Sequence, residues 1–434
     1  MAVLLRQATV IDPSSPHHDS TVDILFDGGM IKDIAPKLEI SDEHFPKENV
    51  ISAERAPTKS NDLQQNPTLC VSAGWVDLFA DYREPGYEQK ETIDTGLATA
   101  AAGGFTDVML LPNTQPVTDG RSGVLYALQQ SRGADVRLHP LGAISQGIDG
   151  KALAEMMDMH AQGAVAFTDG WKPVQSSGLM MKALEYVKAL DGIVIQLPVD
   201  NALASGGLMH EGIQSTRLGM PGIPSLAESL MVQRDIELTR YTGSRLHITG
   251  VSSAESVALI RAAKADGLDI TCSVTPYHLL LTDEALQTYD SAYKVSPPLR
   301  TEADRQALIA GLADGTIDCI TSHHRPQDWD AKAKEFEYAG EGMAVQEIVF
   351  SLVRTAVGDT VPLSRIIDAL SGSPRRIFRL PEASIKKGLV ASCTVFAPEA
   401  SYMFEAESTP SLSRNNPFGG TALKGAVLRI ITGH

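Results

Sequence analysis

Eight short apolar runs recur from residue 73 onward, each followed by a stretch whose apolar residues fall at helical spacing. The runs are WVDLFA (75–80), TDVMLLP (106–112), VRLHPLGAI (136–144), GAVAFTD (163–169), GIVIQLP (192–198), RLHITGV (245–251), DITCSVTP (269–276) and IDCITSH (317–323). Stretches such as TIDTGLATAAAGG and LAESLMVQRDIELTRY separate them. A strand that is apolar on both faces needs both faces covered, which parallel sheets with crossover helices provide. Eight such units predict a closed (β/α)8 barrel; an open doubly wound sheet is the structural alternative.

The two ends of the chain read differently. VLLRQATVID and TVDILFDGGMIKDIAP alternate strand-like runs with the Asp27-Gly28-Gly29 turn, and GLVASCTVFAP, SYMFEA and LKGAVLRIITG return to short strands. The expected organisation is a composite β-sandwich of residues 1–72 plus 385–434, flanking a barrel of residues 73–384. The polar, breaker-rich segment 41–68 is expected to be a mobile surface insertion.

At 434 residues the chain accommodates a barrel of ~250 residues with an accessory unit. Its 37 Lys+Arg against 53 Asp+Glu give −16, which opposes nucleic acid and anionic membranes as partners. No run approaches the ~20 apolar residues of a membrane span, and the N-terminus has no signal-peptide pattern. Cys70, Cys272, Cys319 and Cys393 form no CxxC pair, so neither a thiolate metal site nor a disulfide framework is expected, and a cytoplasmic location is.

Chemistry in such a barrel sits at the C-terminal ends of the strands. Those ends carry Phe79-Ala80-Asp81-Tyr82-Arg83, Asn113, Asp169, Leu197, His247 and Gly250, Tyr277-His278, and His323-His324-Arg325. A hydrolytic metal centre needs several imidazoles and carboxylates aimed at one point. Only Asp81, Asp169 and His323 are candidates, and each has a structural reading: an ion pair with Arg83, a turn cap before Gly170, a hydrogen bond in the barrel mouth. Arg83 and Asn113 suit a small anion, although Arg83 equally suits an ion pair with Asp81 or Glu84. No GxSxG elbow, P-loop or GxGxxG appears.

GWVDLFADYREPG (74–86) resembles the GFVDLHVHLREPG stretch of dihydroorotases. The resemblance continues through AAAGGFTDVMLLPNTQP (100–116), GAVAFTDG (163–170), VSSAESV (251–257), YKVSPPLR (293–300), IDCITSHHRP (317–326) and NNPFGGTALKG (415–425). It implies an amidohydrolase-type barrel whose ends meet in a small sandwich. The family's HxH metal ligands match Phe79 and Asp81, and its bridging aspartate matches Asp169, which is kept. Two further family histidines match Leu197 and Gly250, the catalytic aspartate matches His323, and the final His of that motif matches Gln327. Arg83 and Asn113 match positions that contact the substrate carboxylate, and Ser296 stands where the family has asparagine.

The resemblance therefore implies a non-catalytic dihydroorotase-like protein of pyrimidine biosynthesis with no catalytic residues and no cofactor. It also implies a role as an assembly subunit, in a homo- or hetero-oligomer, for aspartate carbamoyltransferase. The insertion at 41–68 and the loop from Pro326 to Gly342 are the expected contact segments. The alternative is an active dihydroorotase or other cyclic amidohydrolase with zinc on Asp81, Asp169 and His323. A metabolite-sensing protein resting on Arg83 and Asn113 is a third reading.

Overall fold

The computed structural model describes residues 2–53 and 67–433. The N-terminal segment forms β1 (Val3–Val10), β2 (Thr21–Asp27), β3 (Met30–Ala35), β4 (Val50–Ile51) and β5 (Cys70–Ala73). The barrel strands then begin with β6 (Trp75–Ala80), β7 (Phe105–Leu110), β8 (Arg137–Gly142), β9 (Ala166–Phe167) and β10 (Val194–Gln196). A small excursion pairs β11 (Met209–His210) with β12 (Gly222–Ile223), and the barrel resumes with β13 (Leu246–Ile248), β14 (Ile270–Val274) and β15 (Cys319–Ile320). The C-terminal segment supplies β16 (Ser392–Met403) and β17 (Ala422–Thr432).

All eight apolar runs become strands of one parallel sheet, in the order β15-β14-β13-β10-β9-β8-β7-β6. Every residue of β6 and β7 is buried, as strands covered on both faces require. The seam between β15 and β6 is bridged by side chains. The buried Asp77 carboxylate accepts hydrogen bonds from the Thr321 hydroxyl and the Ser322 backbone N–H, both at 2.9 Å, and from the Gln346 amide at 2.7 Å. The Asp81 N–H donates to the His324 carbonyl at 3.0 Å. The result is a nearly closed barrel with its strand ends gathered at one mouth.

The two ends of the chain meet in a single mixed sheet, ordered β17-β16-β5-β1-β2-β3 with β4 on β1. The terminal β-domain expected from both ends is thus present, its strands joined by continuous hydrogen bonding around a shared apolar core. GLVASCTVFAP and SYMFEA, expected as separate strands, fuse into β16, which stays paired with β17 across a register shift between Ala397 and Ser401. The expectation of a mobile insertion over 41–68 is corrected where the chain is described. Val50 and Ile51 are buried and pair in parallel with Leu4 and Leu5. Residues 54–66 of that segment lie outside the described residues. Trp75 joins the two layers: its ring lies 5.0 Å from Phe350 and 5.4 Å from Phe396. Among the described residues no helix is long and apolar enough to cross a membrane. The four cysteines are buried thiols, none of them paired.

Candidate functional site at the barrel mouth

Phe79, at the end of β6, is fully buried. Its ring stacks on the His323 imidazole at 4.6 Å and meets the edge of Trp171 at 5.0 Å. Trp171 in turn lies 5.4 Å from His323, nearly perpendicular to it. Three rings delivered by β6, β9 and β15 therefore close on one another where the strand ends converge. Such contacts add about 0.5–1.5 kcal/mol per pair beyond the area they bury.

His323 is fully buried and its backbone has φ +46. A non-glycine residue in that region costs about 1–3 kcal/mol. His323 Nε2 is 2.8 Å from the Thr249 hydroxyl, while Nδ1 has no hydrogen-bond partner. Thr249 continues into the barrel through Ser273 (3.0 Å) to His247 (3.1 Å) and Thr271 (2.9 Å). Burial holds the His323 imidazole well below its ordinary pKa, with the neighbouring His278 and Arg325 acting in the same sense. Burial likewise depresses His247 to about 3. Both rings are neutral at physiological pH. Residue 250 sits against this imidazole: a Cβ on Gly250 would fall on His323 Cε1, and its φ of +70 favours glycine.

The carboxylates here are committed elsewhere. Asp81 accepts from Arg83 Nη1 at 2.9 Å and from the Trp171 indole N–H at 2.8 Å. Asp169 accepts from the Ile144 N–H at 2.8 Å, the Ser145 N–H at 2.9 Å and the Ser145 hydroxyl. Burial raises the Asp169 pKa despite these bonds. Asp169 thus ties the segment after β8 to the end of β9, a larger role than capping the turn at Gly170. Leu197 is buried and brings no donor atom. Among the described residues, no group of three or more His, Cys, Asp or Glu side chains is placed to hold a metal ion. The residues at the family's metal positions do not fit zinc.

The three residues expected as a ligand-binding remnant line two adjoining cavities. Arg83 and Asn113 line a cavity of about 320 Å³ with Trp171, Lys172 and Arg325. Ser296 lines another, of about 230 Å³, with Leu197, Arg300 and Glu341. Trp171 walls both. Asn113 spends its amide on the backbone, donating to the Asp169 carbonyl at 3.1 Å and accepting from the Trp171 N–H at 3.4 Å. Gln327 carries a hydrogen bond from Lys90 at 2.7 Å. His324 faces the buried Glu91 at 3.5 Å.

Sequence reasoning passed over Trp171 and placed Arg325 at a strand end without giving it a role. The available signal was an aromatic residue directly after Asp169-Gly170 and an arginine directly after the histidine pair. What these residues touch could not be read from their spacing.

A family pattern described as Dihydro-orotase-like matches residues 69–256. The chain is 40% identical over 430 residues to a dihydroorotase of Syntrophus aciditrophicus, covering 99% of this chain and 97% of the relative. It is 45% identical over 357 residues to a dihydroorotase of Desulfotalea psychrophila, covering 82% of this chain and 85% of the relative. The chain belongs to the dihydroorotase family. The same fold occurs in the L-hydantoinase of Arthrobacter aurescens, with TM-score 0.82, 20% identity and coverage of 99% and 94%. A dihydropyrimidinase of Brevibacillus agri matches with TM-score 0.78 at 20% identity, over 100% of this chain and 94% of that one. In this chain the mouth is closed by the packed rings of Phe79, Trp171 and His323.

Proposed function

We propose that this member of the dihydroorotase family is non-catalytic. The observation that carries the reading is the Phe79–Trp171–His323 cluster, with the His323 imidazole filling the space beside Gly250. Phenylalanine, leucine and glycine offer no ligand atoms, and an apolar lining raises the cost of holding an ion. A neutral histidine at position 323 has no activated water to serve.

A fold kept without its chemistry is suited to assembly, and the resemblance points to aspartate carbamoyltransferase as the partner. The loop from Pro326 to Gly342 supports this reading. It presents Trp329 and Tyr338 at 80% and 67% exposure, and exposed aromatic residues are favoured at protein interfaces. Light scattering on a mixture with the transcarbamoylase of the same organism tests it. A single heavier species supports assembly, whereas separate elution with unchanged transcarbamoylase activity contradicts it.

The second reading is an active cyclic amidohydrolase, and the names of the relatives at 40% and 45% identity favour it. It would draw on Asp81, Asp169 and His323, which would first have to leave their present partners. Dihydroorotate hydrolysis that a chelator abolishes would establish this second reading.

A further inference from the structure

Lys332 ends the short helical turn Trp329–Lys332 in the loop beyond β15. A reciprocal pair of hydrogen bonds clasps it to the turn Ser291–Tyr293. Lys332 Nζ donates to the Ser291 carbonyl at 2.8 Å, and the Ser291 hydroxyl donates to the Lys332 carbonyl at 2.7 Å. Among the described residues the Ser291 carbonyl is the one hydrogen-bond acceptor of Nζ, and no carboxylate stands within ion-pairing distance of it. An ammonium carries three N–H donors, so two of them find no protein acceptor here.

The groups around Lys332 include two cations that are themselves fixed. Lys294 donates to the Phe336 carbonyl at 2.8 Å and the Glu337 carbonyl at 2.9 Å, and its ammonium lies 5.4 Å from the centre of the Phe336 ring. Arg325 donates to Glu341 at 3.0 Å and stacks over Trp171 at 4.4 Å. Lys332 is half-buried between them and solvent. Burial, and then Arg325 and Lys294, press its ammonium down to about 7, against the opposing pull of Glu341 and Asp290. At pH 7 about half of the Lys332 side chains are therefore neutral, against fewer than about one in a thousand for an ordinary lysine near ~10.4. The neutral amine carries the lone pair that attacks an electrophile, and desolvation beside other cations is a general way to produce one.

We propose that Lys332 is a site of covalent acylation, its Nζ attacking the carbonyl carbon of an acyl phosphate. The C–N bond forms as the C–O bond to phosphate breaks. Phosphate leaves with the bonding electrons and takes the proton that the amine gives up. The amide product is neutral, so repulsion from Arg325 and Lys294 ends. It keeps one N–H, which continues to donate to the Ser291 carbonyl. Cations nearby favour approach of an anionic acyl donor over a neutral ester. The site stands whether or not the barrel hydrolyses anything.

Incubation of the whole chain with acetyl phosphate between pH 6 and pH 9, with acetylation of each lysine followed by peptide mass spectrometry, tests it. Lys334, exposed in the same loop, is the reference. At pH 7 Lys332 is expected to react about tenfold faster than Lys334 or more, and its rate should level off above about pH 8 while that of Lys334 goes on rising. Asp290→Asn keeps a side-chain acceptor for the Ala292 N–H and removes an acid that raises Lys332, so the plateau should begin at lower pH. A purely structural clasp would not move that profile. Lys332 reacting no faster than Lys334 at pH 7, a rate still climbing at pH 9, or a plateau unmoved in Asp290→Asn overturns the proposal.

Discussion

The imidazole of His323 occupies the space into which a side chain on residue 250 would project. A Cβ on Gly250 would fall on His323 Cε1, and the backbone at 250 already lies in the left-handed region at φ +70. A side chain at 250 and the imidazole at 323 therefore compete for the same space.

Gly250→Ala should destabilise the protein by about 2–4 kcal/mol, combining left-handed strain with overpacking. Adding His323→Ala should recover part of that loss, giving a coupling of about 1–2 kcal/mol in a double-mutant cycle. Denaturant midpoints of the four proteins measure this. Strict additivity would mean that the two residues do not share the space.

Phe79→Ala should cost about 3–5 kcal/mol, because it empties a site enclosed by Trp171 and His323. An exposed ring of the same size should cost almost nothing. A midpoint for Phe79→Ala close to that of the parent chain would show that the cluster does not hold the mouth together.

The buried histidines should destabilise the fold in mild acid, against an opposite contribution from Asp235, whose carboxyl burial raises to about 6. Burial lowers the folded pKa of His247 to about 3 and of His278 to about 4, and holds His323 well below its ordinary value. The unfolded imidazoles titrate near ~6.5, so below that pH the unfolded chain binds more protons. The histidine contribution is therefore complete above about pH 6.5 and is lost as pH falls towards the folded values. His278 alone accounts for on the order of 3 kcal/mol by about pH 4. Unfolding followed between about pH 7 and pH 5 should show this slope, and His278→Gln should flatten it. An unchanged slope in that variant would count against a neutral buried His278.

Restoring Phe79→His and Asp81→His together should not yield dihydroorotate hydrolysis. Leu197, Gly250 and His323 would still lack ligand or base chemistry, and residues of one catalytic unit act together rather than additively. The new imidazole at 79 would also sit between Trp171 and His323. A steady-state assay with added zinc decides the matter, and turnover in the double variant would show that other positions carry the chemistry.

The barrel was legible because its strands are local apolar runs: all eight coincide with segments that the sequence marks out, β7 beginning one residue earlier at Phe105. The Arg83–Asp81 ion pair was legible too, being two residues apart. Asp169 was recognisable as a retained acid, but its commitment to Ile144 and Ser145 joins residues 24 or 25 apart. Trp171 was invisible as a site residue, since an aromatic ring acquires meaning from what it stacks on. With Trp171 unseen, the division of Arg83 and Asn113 from Ser296 could not be foreseen. The fusion of β16 depended on pairing with β17 across a register shift, a property of the partner strand rather than of the segment itself.

The most direct test of the packed mouth is metal content after loading. The purified chain is equilibrated with excess zinc, freed of unbound ion by gel filtration, and measured by elemental analysis. Filled by Phe79, Trp171 and His323, with Asp81 and Asp169 bound elsewhere, the mouth should retain zinc far below one ion per chain. Retention of one or more zinc ions per chain, lost on Asp169→Ala or His323→Ala, would contradict the account.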